Sequence, residues 1–399
     1  MGKSDRRRFA WDRQTFAKGL LLGALAGVVF VANRHLKKTE APSLIDWGRV
    51  RKLAIRMAQA PATSTAGKEE LTATYMRMAE QSENLISDYT GWHKPQAYLG
   101  VRVLDRVEWI DANIANFRDI FDSVEKLNRQ YSGSPTPATM VLGLANRVLV
   151  SGQMGTMMGY LSKRVLGQYD IALLGKGTPD GGKLYFVEPN IAELEHKLRL
   201  DGRALRLWIS LHEMTHAFQF ECNPWLRDYM NGLTRRYFDT VSFDMAHMRA
   251  HGGGMGAIIA RVIGNLLKGT PLMELVMTQE QQRLFRQLQA VMCLVEGYSN
   301  HVMKRVGASI IPGYGRLKAR FDERAKQRTV MDNVFSRLIG MDVKMQQYDL
   351  GERFVDYVVH KRGIRFMNLV WTSPVLLPSM EEVRQPEAWI ARAERWTQD

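Results

Sequence analysis

Apolar side chains recur at helical spacing along most of this chain. In the segment 45–59 they form one stripe on a helical wheel, while the basic residues fall elsewhere, and 67–89 continues in the same style. The segment 105–131 repeats the pattern with larger side chains. Its stripe consists of Ile110, Ile114, Phe117, Phe121, Val124 and Leu127. With 399 residues, 45% of them hydrophobic, this periodicity predicts a mainly α-helical body with one large core or two smaller ones.

A different pattern is confined to the stretch 167–191. Two short segments, 167–170 and 184–191, flank the turn signal Pro-Asp-Gly-Gly at 179–182. Such an arrangement is typical of a strand beside a tight turn. We therefore predict a small β-hairpin or edge sheet within the helical body.

The segment 206–226 reads as one largely apolar helix that ends at Pro224, and it holds the motif HExxH. Because His212 and His216 are four residues apart, both imidazoles lie on one helix face and can bind one ion, while Glu213 stays free for proton transfer. A buried glutamate beside two histidines is costly unless a metal or a dense polar network satisfies it. The motif predicts a Zn²⁺ site with Glu213 as general base, where a metal-activated water attacks a carbonyl group.

A zinc site of this kind needs a third protein ligand. The segment 278–307 reads as a long helix with a capping box at its start, and Glu296 is a lone carboxylate in its apolar middle. Asn300 follows one turn later on the same face. We predict Glu296 as the third ligand, in the manner of gluzincins, and Asn300 as the side chain that orients a liganding imidazole.

Cys222 is the alternative third ligand, since it lies six residues after His216. On a continuous helix, however, six residues rotate a side chain to the opposite flank. Position 219, where a chain turn toward such a ligand would require glycine, is Gln219. These points favour Cys222 as a small buried hydrophobe.

Five segments together resemble a bacterial zincin-like metallopeptidase family, some of whose members are associated with deazaflavin cofactor biosynthesis. The segments are RLWISLHEMTHAFQFECNPWLRDYM, RVLGQYDIALL, KLYFVEPNI, LVEGYSNHVM and NLVWTSPVLLPSMEEVRQPEAW. The similarity runs from about Asp46 to the end of the chain, and it implies a zinc-dependent peptidase-like fold with an unknown substrate. The residues that match the family's motif positions are His212, Glu213, His216 and Glu296.

The resemblance has one departure and several consequences for the site. Where the family usually reads Glu-Gly-His-Ala-Asp, this chain has Tyr298 and Asn300, a change that bears on ligand basicity and turnover. Many zincins bind substrate backbone along an edge strand, for which KLYFVEP at 183–189 is our candidate, with a purely structural hairpin as the alternative. Either Tyr298 or His301 would stabilise the oxyanion, or both are inert. The polar residues expected to support the ligands or contact substrate are Gln168, Tyr169, Asp170, Asn190, Tyr298, Asn300 and His301.

The net charge of +14 is unevenly distributed. Residues 1–40 carry nine Lys/Arg against three acids, and residues 303–330 carry eight against two, so these two blocks account for 12 of the 14 charges. Neither block has interleaved aromatic residues or a nucleic-acid-binding motif. Nucleic acid is therefore not an expected partner.

The first basic block surrounds the apolar run GLLLGALAGVVFVA at 19–32. Fourteen residues are fewer than the roughly 20 that cross a bilayer, although the flanking Lys18 and Arg34 could snorkel to the headgroups. We expect an N-terminal hydrophobic helix that anchors the chain in the membrane by a single pass, with the catalytic domain on the outer face. The alternatives are a cleaved signal of a secreted protein and a packed helix of a cytoplasmic one.

The expected organisation is therefore a basic N-terminus at 1–40 and a zincin-like catalytic domain at 41–399. The expected function is hydrolysis of peptide bonds in a peptide or protein substrate, with zinc as cofactor and the lipid bilayer as a second partner. The alternative is a non-catalytic, zinc-stabilised, membrane-attached binding or chaperone-like module, in which Tyr298 and Asn300 mark lost turnover.

Overall fold

The helical periodicity of the sequence is realised in long α-helices. The structure is a computed structural model that describes residues 43–59, 67–93, 100–131, 137–170, 182–250, 278–326 and 341–398. Its longer helices are α1 (Trp47–Ala58), α2 (Lys68–Thr90), α3 (Arg106–Tyr131), α4 (Pro137–Ser162), α5 (Glu188–Leu198), α6 (Gly202–Glu221), α7 (Pro224–Ala250), α8 (Gln279–Val302), α9 (Tyr314–Lys326) and α10 (Met341–Arg362). Short helices follow: α11 (Ile364–Met367), α12 (Met380–Arg384) and α13 (Pro386–Trp396), with 3₁₀ turns at Asn368–Trp371 and Pro374–Leu376. The prediction of a mainly α-helical protein is confirmed.

Three strands form a small mixed sheet in the order β1-β3-β2. They are β1 (Gly100–Leu104), β2 (Gly167–Asp170) and β3 (Lys183–Val187). Strand β3 pairs in parallel with β1 and antiparallel with β2. The predicted hairpin is confirmed, but the expectation that KLYFVEP is the edge strand is wrong, because β3 is paired on both sides. The edge strand that packs against α6 is β2.

Helix α6 lies in the centre of the largest hydrophobic core. The side chain of Asp201 caps its first turn by accepting a hydrogen bond from the Ala204 N–H (2.7 Å). Leu211, Ala217 and Phe218 are fully buried, as the apolar sequence of this segment predicts. Helix α2 and the sheet pack on one side of α6, and α8 packs on another. The HExxH residues are thus held on a rigid, almost completely buried helix.

Helix α8 begins with the predicted capping box, in which the side chains of Thr278 and Gln281 satisfy each other's backbone N–H groups. Its middle crosses α10 at very short range: a Cβ atom placed on Gly351 would lie 2.0 Å from the carbonyl oxygen of Cys293. One placed on Gly297 would lie 2.2 Å from the carbonyl carbon of Gly351. Only glycine allows this contact, and it lies directly beside Glu296 in sequence.

The predicted membrane attachment is corrected. In the part of the chain that the structure describes, no helix is both long enough and apolar enough to cross a bilayer, and this finding contradicts the expected single-pass anchor. The segment 19–32, from which the anchor was predicted, lies outside the described residues. Its fourteen apolar residues are themselves short of the roughly 20 that a transmembrane helix requires.

Candidate functional site

Three potential metal ligands from two helices converge at one point. The Nε2 atoms of His212 and His216 on α6 lie 3.1 Å apart. Oε2 of Glu296 on α8 lies 3.6 Å from the first of these atoms and 3.7 Å from the second. One ligand atom from each of the three residues lies within 4.8 Å of the others. Two helices distant in sequence therefore bring the predicted donor set together.

These distances suit a zinc ion. Zinc binds imidazole nitrogen and carboxylate oxygen at about 2.0–2.2 Å, so two donors on one tetrahedral ion lie about 3.3–3.6 Å apart. The measured separations of 3.1, 3.6 and 3.7 Å are close to that range. Two imidazoles and one carboxylate also form the donor set of known catalytic zinc sites, which leave a fourth position open. The residues present thus fit the metal.

Glu213 lies beside this group but is held by other contacts. Its Oε2 accepts a hydrogen bond from the backbone N–H of Tyr169 on β2 (2.9 Å). Gly167, two residues earlier on β2, leaves room for the carboxylate, because a Cβ atom there would lie 2.6 Å from Glu213 Cγ. Burial, reinforced by the negative charge of Glu296, raises the pKa of Glu213 to about 7. A carboxyl group with such a pKa can accept and return a proton near neutral pH.

The two histidines experience opposite electrostatic effects in the metal-free protein. Burial lowers the pKa of His212 to about 4, and the neighbouring His216 adds to this effect. Burial by itself also lowers the pKa of His216, but the carboxylate of Glu296 outweighs it and raises the pKa to about 9. One ring is thus neutral and the other carries a proton that a metal ion would have to displace.

Two residues that the sequence analysis did not recognise orient His216. Its Nδ1 lies 2.9 Å from Gln219 Oε1 and 3.2 Å from Ser299 Oγ. The amide nitrogen of Gln219 donates to the carbonyl oxygen of Val295 on α8 (2.8 Å), which joins the two helices at the site. An imidazole that donates Nδ1–H to Gln219 presents the lone pair of Nε2 to a metal. The signal in the sequence that could have identified Gln219 is a polar glutamine within an apolar helical segment, three residues after the second histidine. The structure shows that this side chain is fully buried.

The orienting contact that was expected from Asn300 is provided by other residues. Asn300 is a half-buried residue of α8, but Ser299 is the α8 side chain that contacts an imidazole. Asn300 and Ser299 lie on either side of Glu296 when viewed along the helix axis, since each residue rotates by about 100°. Ser299 therefore makes the orienting contact that was expected of Asn300.

Tyr298 and His301 are also held by contacts that do not involve the metal-binding group. Tyr298 is fully buried, its hydroxyl donates to Asn368 Oδ1 (2.7 Å), and its ring stacks on Trp92 at 5.1 Å between centroids. His301 is fully buried between Asp356 (2.5 Å from Nδ1) and the hydroxyl of Tyr89 (2.6 Å from Nε2). Both side chains pack the far side of α8, so an oxyanion-stabilising role for either is corrected to a structural one.

Two other predicted residues serve the packing around the sheet. Gln168 accepts a hydrogen bond from Trp109 Nε1 (2.7 Å). Asn190 is buried and accepts from Arg106 Nε (2.7 Å). Asp170 pairs through its backbone with Lys183 on β3, and its side chain lies outside the described part. Of the three predicted residues around the strands whose side chains are described, Gln168, Tyr169 and Asn190, it is Tyr169 that contacts the site, through its backbone N–H.

Cys222, the alternative ligand, lies at the C-terminal end of α6. Its Sγ is 3.3 Å from the carbonyl oxygen of His93, and the metal-binding group formed by described residues contains Glu296 instead. Cys222 is half-buried rather than fully buried as expected. The helix rotation that argued against its being a ligand is confirmed.

The fold and this site define a class: helical metalloproteins in which an HExxH helix receives a carboxylate from a second helix. The family model described as zincin-like metallopeptidase matches residues 45–390, and the chain belongs to this family. A solved structure from Chloroflexus aurantiacus, described as a candidate hydrolase with a novel fold, is 37% identical, with a TM-score of 0.62. The match covers 88% of this chain and 99% of that one. A search among curated proteins finds no significant match. The family implies a zinc cofactor and hydrolase activity.

The raised pKa of Glu213 predicts a pH-dependent cost in the metal-free protein. Because the folded-state pKa of about 7 lies above the ordinary value of 4.5, folding favours the protonated form. The stabilisation of the folded state by the protonated Glu213 is fully present below about pH 4.5 and is lost as the pH rises through about 7. Glu213→Gln abolishes this titration. The difference in unfolding free energy between the variant and wild type should therefore increase in favour of the variant as the pH rises, by roughly 3 kcal/mol in total. Urea unfolding of chelator-treated proteins between about pH 4.5 and 8 measures this, and parallel pH profiles would contradict it.

Proposed function

We propose that this protein is a zinc-dependent hydrolase of peptide bonds. His212, His216 and Glu296 would hold the metal, and Glu213 would act as the general base. The observation that carries the proposal is the convergence of three donor atoms within 4.8 Å, with a second carboxylate, that of Glu213, held beside them by the Tyr169 N–H. Ligands and base are thus separate residues with separate contacts, as hydrolysis by an activated water requires.

The chain's own residues have distinct tasks in this chemistry. Zinc, when bound, would supply Lewis acidity and lower the pKa of a bound water to about 7. Glu213 would take a proton from the attacking water and pass it to the departing amine. The Tyr169 N–H fixes one carboxylate oxygen, so the direction in which the other oxygen exchanges a proton is also fixed.

The edge of β2 supports an extended peptide as the substrate. The Val187 N–H donates to the Leu166 carbonyl (2.8 Å), so the alternation of an antiparallel ladder turns the backbone groups of Gly167 and Tyr169 away from β3. The donation from the Tyr169 N–H to Glu213 agrees with that direction. Because the Tyr169 N–H is already donated to Glu213, a peptide added along this edge would pair with the backbone of Gly167, which would place the peptide next to the general base. This replaces β3 by β2 as the proposed substrate strand.

Metal removal and restoration test the proposal. The purified protein should contain stoichiometric zinc, and it should cleave members of a peptide library. Treatment with a chelator should abolish cleavage, and added zinc should restore it, because the water and the carbonyl are activated only at the metal. A protein that retains no zinc, or whose cleavage survives complete metal removal, would refute the proposed function.

A further inference from the structure

The Nδ1 atoms of the two histidine rings contact different kinds of atom. The ring of His216 meets two oxygen atoms, those of Gln219 and Ser299. The ring of His212 instead meets sulfur: its Nδ1 lies 2.9 Å from Sδ of Met303. Imidazoles that bind zinc usually donate this N–H to a carboxylate or carbonyl oxygen, whereas a thioether is a weak acceptor. The site is therefore asymmetric in the support of its two ring ligands.

Met303 is placed to make this contact by an irregularity of α8. It is 3% exposed and is the first residue of a π-helical turn, Met303–Gly307, that continues the helix. Met303 follows Glu296 by seven positions in the sequence, so both lie on the same helix face. The turn also packs against α6 and α2. Single π-helical turns are rare and occur frequently at functional sites. One helix thus supplies both the carboxylate of the site and the side chain against His212.

We propose that Met303 is a positioning residue for His212. Its thioether sets the rotation of the ring that turns Nε2 toward Glu296. This inference rests on the proposed zinc site. Met303 contacts the far side of the ring from the ligand atom, so it acts through His212.

Two substitutions of Met303 distinguish its role as a hydrogen-bond acceptor from its role in packing. Met303→Leu keeps an apolar side chain of similar volume but removes the acceptor, and Met303→Gln supplies an oxygen acceptor at the end of an unbranched chain. Met230→Leu is the matched control, since Met230 in α7 is also 3% exposed. Zinc affinity is measured on full-length protein by competition with a chromophoric chelator. The ¹H–¹⁵N spectrum of the histidine rings in the zinc-loaded protein reports the Nδ1–H of His212 directly.

Met303→Leu should weaken zinc binding by about tenfold and shift the Nδ1–H signal of His212. Met303→Gln should restore affinity to at least the wild-type level, and Met230→Leu should change neither readout. Unaltered zinc affinity and an unaltered ring signal in Met303→Leu would overturn the inference, as would equal losses in Met303→Leu and Met303→Gln, which would indicate packing alone. Absence of zinc binding in wild type and in Met230→Leu would instead refute the proposed function, and the inference with it.

Discussion

Replacing Glu213 by glutamine is expected to lower kcat for peptide hydrolysis by about 10²–10⁴-fold, the usual contribution of a general acid or base. Glutamine has nearly the same shape and can still accept the hydrogen bond that the Tyr169 N–H gives to position 213. It cannot take up a proton. Because Glu213 is not one of the three converging donors, zinc content and zinc affinity should stay close to those of wild type. The experiment combines steady-state kinetics on a cleaved peptide with metal analysis of the same samples.

The matched control is Glu280→Gln, which removes a half-exposed carboxylate, paired with Arg283, at the start of α8, the helix that also carries Glu296. It should leave kcat unchanged. Wild-type kcat in Glu213→Gln would exclude this residue as the base. The non-catalytic binding module makes the opposite prediction, since its activity would survive the Glu213→Gln change while zinc remains bound.

Gly351→Ala is expected to destabilise the protein by about 2–3 kcal/mol or more, because the added methyl group has no space. Its Cβ would lie 2.0 Å from the Cys293 carbonyl oxygen, and a backbone atom cannot rotate away as a side chain would. Helices α8 and α10 would have to separate. Glu296 lies beside the contact residue Gly297, so its carboxylate should be displaced from the two imidazoles. We therefore also expect weaker zinc binding, measured together with the unfolding free energy in urea.

Gly232→Ala provides the control for this substitution. Gly232 lies within α7, and a Cβ atom there would meet nothing within 4 Å. Alanine should stabilise the helix by about 0.5–1 kcal/mol, because it restricts the unfolded backbone. If Gly351→Ala behaved like Gly232→Ala in stability and zinc affinity, the close helix crossing would not be what places Glu296.

The parts of the site that depend on helix geometry were predictable. Residues four apart on a helix share a face whatever surrounds it, so the pairing of His212 and His216 follows from the motif alone. Glu296 was detectable because a carboxylate in the apolar middle of a helix needs a partner. The same reasoning found the long helices and the capping box at Thr278. These features are local, and each is contained in fewer than about 30 consecutive residues.

Other contacts were missed or misassigned because they depend on how the helices are rotated against each other. Asn300, Tyr298 and His301 lie within five residues of Glu296, yet among the described residues none of the three makes a hydrogen bond to either imidazole of the site. Ser299 and Met303, from the same helix, contact the rings of His216 and His212. The pattern of polar residues cannot choose between them, since all five lie within two turns of one another. The close crossing at Gly297 and Gly351 contributes to the rotation that decides the choice.

The sheet also combines a feature that the local sequence predicts with one that depends on tertiary packing. The turn signal at 179–182 between two short segments predicted the hairpin, but β1 enters from a segment more than 60 residues earlier and pairs with β3. That pairing makes β3 central and leaves β2 at the edge beside Glu213. Strand order is set by which surfaces α2 and α6 can cover together, and this depends on the packed core rather than on any one segment.

By itself, the sequence determined the helical class of this protein, the two imidazoles on one helix face and the carboxylate that could join them, because periodicity and side-chain chemistry act over a few turns. Only the tertiary structure decided that Gln219, Ser299 and Met303 support the rings, that the Tyr169 N–H holds Glu213, and that β2 forms the edge. Those contacts join segments far apart in the chain, and they exist only once side-chain packing has set the position and rotation of each helix.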